Sequence, residues 1–235
     1  LLLDYILTVA VSVAAGVAAL TSVFPNLLVY KVLIGVAVIL LITLINHKGI
    51  KESGVIFAVP TYMFIISFLI MIGVGFFKFF TGTLTPVVIE SQIIVVSNLS
   101  FFLILRAFSS GCAALTGIEA ISDGVPAFKE PESKNARTTL LIMAVILSVL
   151  FLGITFLGYF LKVVPVHDRT LVSLIAEGVF GKTIFFYIIQ AFTMLILFLA
   201  ANTSFADFPR LCFFLARDKF LPAQFKQLGE RLVFS

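Results

Sequence analysis

The chain has 235 residues, 61% of them hydrophobic and 12% charged, with a formal net charge of +4. A mean hydropathy of +1.19 lies far outside soluble proteins, which run about half apolar and a quarter charged, and puts the chain in a bilayer. Its basic residues are spread among hydrophobic spans rather than gathered on a soluble module, which excludes nucleic acid as a partner.

A spanning helix needs roughly 20 mainly apolar residues. The uncharged stretches give six such spans, at about residues 1–21, 30–46, 53–78, 91–128, 137–162 and 183–206, so the fold class is an all-α polytopic membrane protein. The opening "LLLDYILTVAVS" has neither an initiator methionine nor a signal peptide, and the end "ERLVFS" is abrupt; both read as an internal piece of a longer protein.

In the first span Asp4, Thr8, Ser12 and Gly16 recur every four residues and form a slowly drifting stripe on one helix face, with Tyr5 one position round from Asp4. Small residues at Ala14, Ala15 and Gly16 also suit close helix packing, and a Ser or Thr commonly bonds its own helix. A carboxylate in hydrocarbon costs about 2.5–3.5 kcal/mol and faces a partner or water, which favours a cavity lining over mere packing. In the third span Pro60 is expected to end or kink the helix start.

The fourth span is interrupted. In "AALTGIEAIS" the Thr116–Gly117 pair offers a place for the helix to unwind, because Gly adopts non-helical angles easily and Thr is a poor helix former. Unwound backbone at membrane depth survives only where it lines a cavity or is buried in protein. Such breaks mark transporter substrate sites, where carbonyl ends of one half-helix coordinate cations. Glu119 then falls in the first turn of the second half-helix, whose amide end favours its ionised form while burial opposes it. A structural ion pair with Arg106 is disfavoured by a separation of roughly 20 Å along a straight helix.

Before the fifth span, Ser133 or Asn135 in "SKNARTTL" is expected to cap the helix. The stretch "TLVSLIAEGVFG" (170–181) is too short to cross and reads as a small helix at the extracellular entrance. Gln190, Thr193, Asn202, Thr203 and Ser204 of the sixth span serve equally as oxygen ligands or as helix–helix hydrogen-bond partners. Residues 207–235 read as a cytoplasmic amphipathic loop or interfacial helix, separate from a core at 1–206. The basic residues of alternate loops divide about two to one in favour of loops 47–52, 129–137 and 207–231, which places those in the cytoplasm. Cys112, Cys212, His47 and His167 have no disulfide or metal spacing, so neither a cofactor nor a metal beyond a transported ion is expected.

The stretches "LDYILTVAVSVAAG" (3–16), "AFSSGCAALTGIEAISDGVPAFKEPESKNA" (107–136) and "NTSFADFPRLCFFLARDKFLPAQF" (202–225) resemble the amino acid–polyamine–organocation superfamily, and within it the KUP-type potassium–proton symporters. The resemblance covers essentially the whole chain. It implies a LeuT-like fold of two inverted five-helix repeats, with this chain supplying the third through eighth helices, the sixth of them broken. It further implies that Tyr5, Thr8, Ser12 and Thr116 bind potassium, that Asp4 and Glu119 balance charge or carry the coupled proton, and that the break falls at Gly117. The expected activity is proton-coupled potassium uptake across the plasma membrane of a prokaryotic cell. Potassium, protons, lipid and a second copy of the protein are the expected partners. An amino-acid permease of the same superfamily is the alternative. An intramembrane hydrolase using Asp4 and Glu119 is disfavoured, since it needs intact facing helices rather than a break.

Overall fold

The computed structural model describes residues 2–47, 54–84, 100–112, 121, 125, 128–166 and 168–226. The chain divides into two units, one made of Leu1–Ile89 with Gly153–Ser235 and the other of Glu90–Leu152.

The first unit begins with α1 (Leu2–Val23), whose Asp4 sits in the first turn where free amides favour an acid. At its other end Thr21 and Ser22 turn their hydroxyls back onto the Ala18 carbonyl, at 3.2 and 2.7 Å. A 3₁₀ turn, Pro25–Tyr30, then leads into α2 (Lys31–His47). The third helix, α3 (Gly54–Phe80), continues through Pro60, so the helix does not end there. A proline early in a helix forfeits one backbone bond while the rest of a long apolar helix continues.

The last long helix of this unit, labelled α7 once α4 (Phe101–Gly111), α5 (Glu132–Phe160) and α6 (Leu171–Phe180) are numbered, spans Ile184–Arg217. It continues through Pro209 and past residue 206, where the span was expected to end. The reason lies in its buried face: Ala201, Cys212 and Ala216 are all buried and keep one helical stripe going. Residues 207–217 therefore continue this helix, and a short 3₁₀ turn at Ala223–Lys226 follows.

Five described helical stretches are long and apolar enough to cross a membrane: Leu3–Val23, Pro25–His47, Phe57–Phe80, Glu132–Phe160 and Ile184–Arg217. They correspond to five of the six expected spans. Of the interrupted span, α4 is described; Thr116, Gly117 and Glu119 lie outside the described residues.

Helix α1 packs against α7 and α2 through a closed cluster of Val13, Val17, Ile42 and Ala201, with Phe198 and Phe205 seated on it. Gly16 makes this approach possible: a Cβ there would stand 2.5 Å from the Phe198 ring. Gly16→Val is therefore expected to push α1 off α7 and to cost about 1–3 kcal/mol, read as a lowered unfolding midpoint in detergent. Helix α3 meets the end of α5 in the same way, with Gly75 under Leu157 and Gly153 under Ile72. Phe76 stacks on Phe156 at 4.5 Å, and Phe79 sits 4.2 Å from Phe160.

The short α6 is a packed element of the bundle, with Leu174, Ile175, Ala176 and Val179 buried. Thr170 caps it by accepting the Ser173 N–H at 3.2 Å, and Gly181, at φ 67°, ends it. Two bonds tie it to neighbours: the Thr170 N–H donates to Ser22 Oγ of α1 at 3.0 Å, and Lys78 Nζ of α3 donates to the Val179 carbonyl at 2.6 Å. Arg169 also pairs with Glu177.

In the second unit Ser100 caps α4 by accepting the Leu103 N–H at 3.2 Å. At the start of α5 the cap differs from expectation. Asn135 lies within the first turn and donates its side-chain amide to the Lys129 carbonyl at 2.8 Å, so it holds the preceding loop rather than capping free N–H groups.

Candidate functional site

The stripe predicted on α1 is present on an unbroken helix. A four-residue step drifts by about 40° round a helix of 3.6 residues per turn, so the stripe winds from an exposed Asp4, through a half-buried Thr8, to a buried Ser12 and to Gly16 against α7. Tyr5 is 7% exposed and lies on the buried side.

The hydroxyls of Thr8 and Ser12 stand apart from the others on α1, α2, α3 and α7. Thr21, Ser22, Thr43, Thr61, Ser67, Thr193, Thr203 and Ser204 each donate to a carbonyl one turn back in their own helix. Thr8 and Ser12 make no hydrogen bond among the described residues. Back-bonding is the usual fate of a hydroxyl in an apolar helix. Two that forgo it, one turn apart, leave their oxygens available to a ligand.

Helices α1 and α7 run antiparallel, with Gly16 meeting Phe198 and Tyr5 sharing a groove with Phe208 and Pro209. This groove, about 490 Å³, is walled by α1, α2 and α7 and is apolar apart from Tyr5, Thr43, Asn46, His47 and Ser204. Of the predicted site residues on α1, Tyr5 lines it, whereas Asp4, Thr8 and Ser12 do not. The stripe therefore faces away from the α2 side, and Tyr5 sits at the boundary between the two faces.

The polar residues of α7 resolve differently from one another. Thr193, Thr203 and Ser204 are spent on their own helix. Asn202 accepts from Asn46 Nδ2 at 2.7 Å, while the same amide group donates to the Ile42 carbonyl at 2.9 Å. This clasp joins α2 to α7. Sequence reasoning missed Asn46, although an amide in the last turn of an otherwise apolar helix is the kind of residue that forms such a clasp. A double-mutant cycle of Asn46→Ala and Asn202→Ala is expected to give a coupling of about 0.6 kcal/mol, the usual size for such bonds in a membrane. Gln190 is 2% exposed, and neither atom of its amide has a partner among the described residues.

Among the described residues no three His, Cys, Asp or Glu side chains gather in a way that would hold a metal ion.

The profile of the amino acid permease family matches residues 1–233. The chain belongs to that family. The chain is 50% identical, over its full length, to the potassium transporter KimA of Bacillus subtilis (strain 168). The match takes in 39% of that relative's own length, so the chain spans well under half of it. Membership accounts for the multi-pass, helical architecture of the described residues, and it bears out the expected superfamily and the all-α membrane fold class.

Proposed function

We propose that this chain forms part of the ion-binding core of a proton-coupled potassium symporter. The observation that carries the reading is the pair of uncommitted hydroxyls, Thr8 and Ser12, one turn apart on α1. Potassium is bound where fixed oxygens replace its hydration shell, and hydroxyls already donating to their own helix are poorly placed for that work. Identity of 50% to a potassium transporter supports the same cargo. Tyr5 and Thr116 supply further oxygens, joined by carbonyls freed at Gly117, and Asp4 and Glu119 balance the cation. Glu119 carries the coupled proton. Two positive charges entering together each gain about 2.3 kcal/mol per 100 mV of inside-negative potential, which makes uptake concentrative. The chain's task is binding and translocation, and no bond-breaking step is assigned to it.

Proteoliposomes of the complete transporter, offered rubidium and radiolabelled amino acids in parallel, test the assignment. Saturable rubidium uptake driven by an inward proton gradient is the expected result. Saturable amino-acid uptake without rubidium uptake would replace it with the permease reading.

A further inference from the structure

A second groove, about 480 Å³, runs between α1 and α2 on the side away from the stripe. Its floor is apolar, formed by Val13, Val17, Val32, Gly35 and Val36. Along α1 it extends from Ala10 to Thr21, which at 1.5 Å per residue is about 16 Å. One leaflet contributes about half of a hydrocarbon core roughly 30 Å thick. The groove thus has the depth of a single leaflet.

Its polar groups are confined to one end. There Lys31, Asp168, Arg169 and Thr170 form the rim, beside Thr21. Lys31 and Asp168 have no side-chain partner among the described residues. Arg169 donates from one terminal nitrogen to Glu177 and Ser173, and its Nε is buried without a partner among the described residues. The rim therefore presents one uncommitted ammonium, Lys31, and one uncommitted carboxylate, Asp168, above an apolar channel, with Arg169 held by Glu177 beside them. A purely anionic headgroup would meet repulsion from Asp168, and a headgroup with no positive charge would leave it unmatched. A headgroup with a phosphate and a primary ammonium answers both signs.

We propose that this groove is a lipid site that holds one acyl chain of a phosphatidylethanolamine molecule, with the phosphate at Lys31 and the ammonium at Asp168. The site is independent of the ion path, since none of its residues belongs to the stripe.

Native mass spectrometry of the complete transporter, delipidated and then offered an equal mixture of phosphatidylethanolamine, phosphatidylglycerol and phosphatidylcholine, tests it. The expected result is selective retention of phosphatidylethanolamine by the wild type. Lys31→Gln lowers that retention about fivefold, as one basic side chain at a membrane surface should. Gly35→Leu abolishes it: a Cβ at Gly35 comes no closer than 3.9 Å to Val13, so the helices keep their places while the longer side chain fills the channel. Asp168→Asn shifts the preference toward phosphatidylglycerol. Equal retention of all three lipids by the wild type, or none, would overturn the proposal, as would unchanged retention in both Lys31→Gln and Gly35→Leu. Because the readout is bound lipid, a failed transport assignment would leave the result standing.

Discussion

Glu119→Gln is expected to abolish pH-driven rubidium accumulation by the complete transporter while leaving rubidium exchange at equal pH on both sides intact. With one proton moved per cation and no membrane potential, an inward gradient of one pH unit supports about tenfold accumulation, because one unit is worth about 1.36 kcal/mol. The amide variant cannot take up a proton at that position, so the ratio should fall to one. Exchange should also become less dependent on pH, since the acid that carries the coupled proton is gone and Asp4 alone remains. Accumulation equal to that of the wild type would remove Glu119 from the coupling step. The measurement needs internal and external rubidium at fixed potential, with the pH gradient imposed by dilution.

Thr8→Val and Ser12→Ala are each expected to raise the KM for rubidium about tenfold, the value of one hydrogen-bond-strength contact to a charged group at about 1.5 kcal/mol. Valine keeps the shape of threonine and alanine is smaller than serine, so α1 retains its packing on α7. Thr43→Val supplies the control. Its hydroxyl is already donated to the Ile39 carbonyl at 2.8 Å, and its loss should leave the KM unchanged. If Thr43→Val and Ser12→Ala shift the KM alike, the two hydroxyls are equivalent and the distinction drawn on α1 fails. The combined Thr8→Val, Ser12→Ala protein should show a greater loss than either variant, because both oxygens would contact one ion.

Much of the architecture is legible in the sequence because a bilayer permits so few solutions. Uncharged runs of spanning length must be helices, and five described helices stand where such runs occur. The small helix at Leu171–Phe180 was also readable from its length, but its burial was not. Nothing local in "TLVSLIAEGVFG" tells that Lys78 and Ser22, far away in the chain, would hold it down. Pro60 and Pro209 both lie inside continuous helices. Each removes one backbone bond, and an apolar face that goes on packing, as Cys212 and Ala216 do, outweighs that local cost. Asn135 misled because several polar residues near a helix start compete for the cap, and the chain's path decides among them.

The stripe on α1 was legible as a spacing, yet spacing alone leaves packing and ligand binding evenly matched. What separates them is the hydrogen-bond inventory, which depends on side-chain rotamers that no periodicity specifies. Tyr5 illustrates the limit. One position round from Asp4, it lines the groove shared with Phe208 and Asn46, a placement that the four-residue spacing does not specify. Its proposed part in the ion site is as a residue at the border of that face. The break at Thr116–Gly117 and the acid at Glu119 rest on sequence chemistry, as they lie outside the described residues.

A structure of the complete transporter with rubidium, located by its anomalous scattering, tests the central claim most directly. Rubidium in contact with the hydroxyls of Thr8 and Ser12, beside a helix that opens at Thr116 and Gly117, is the predicted result. A continuous helix through that point, with no cation between it and α1, would contradict it.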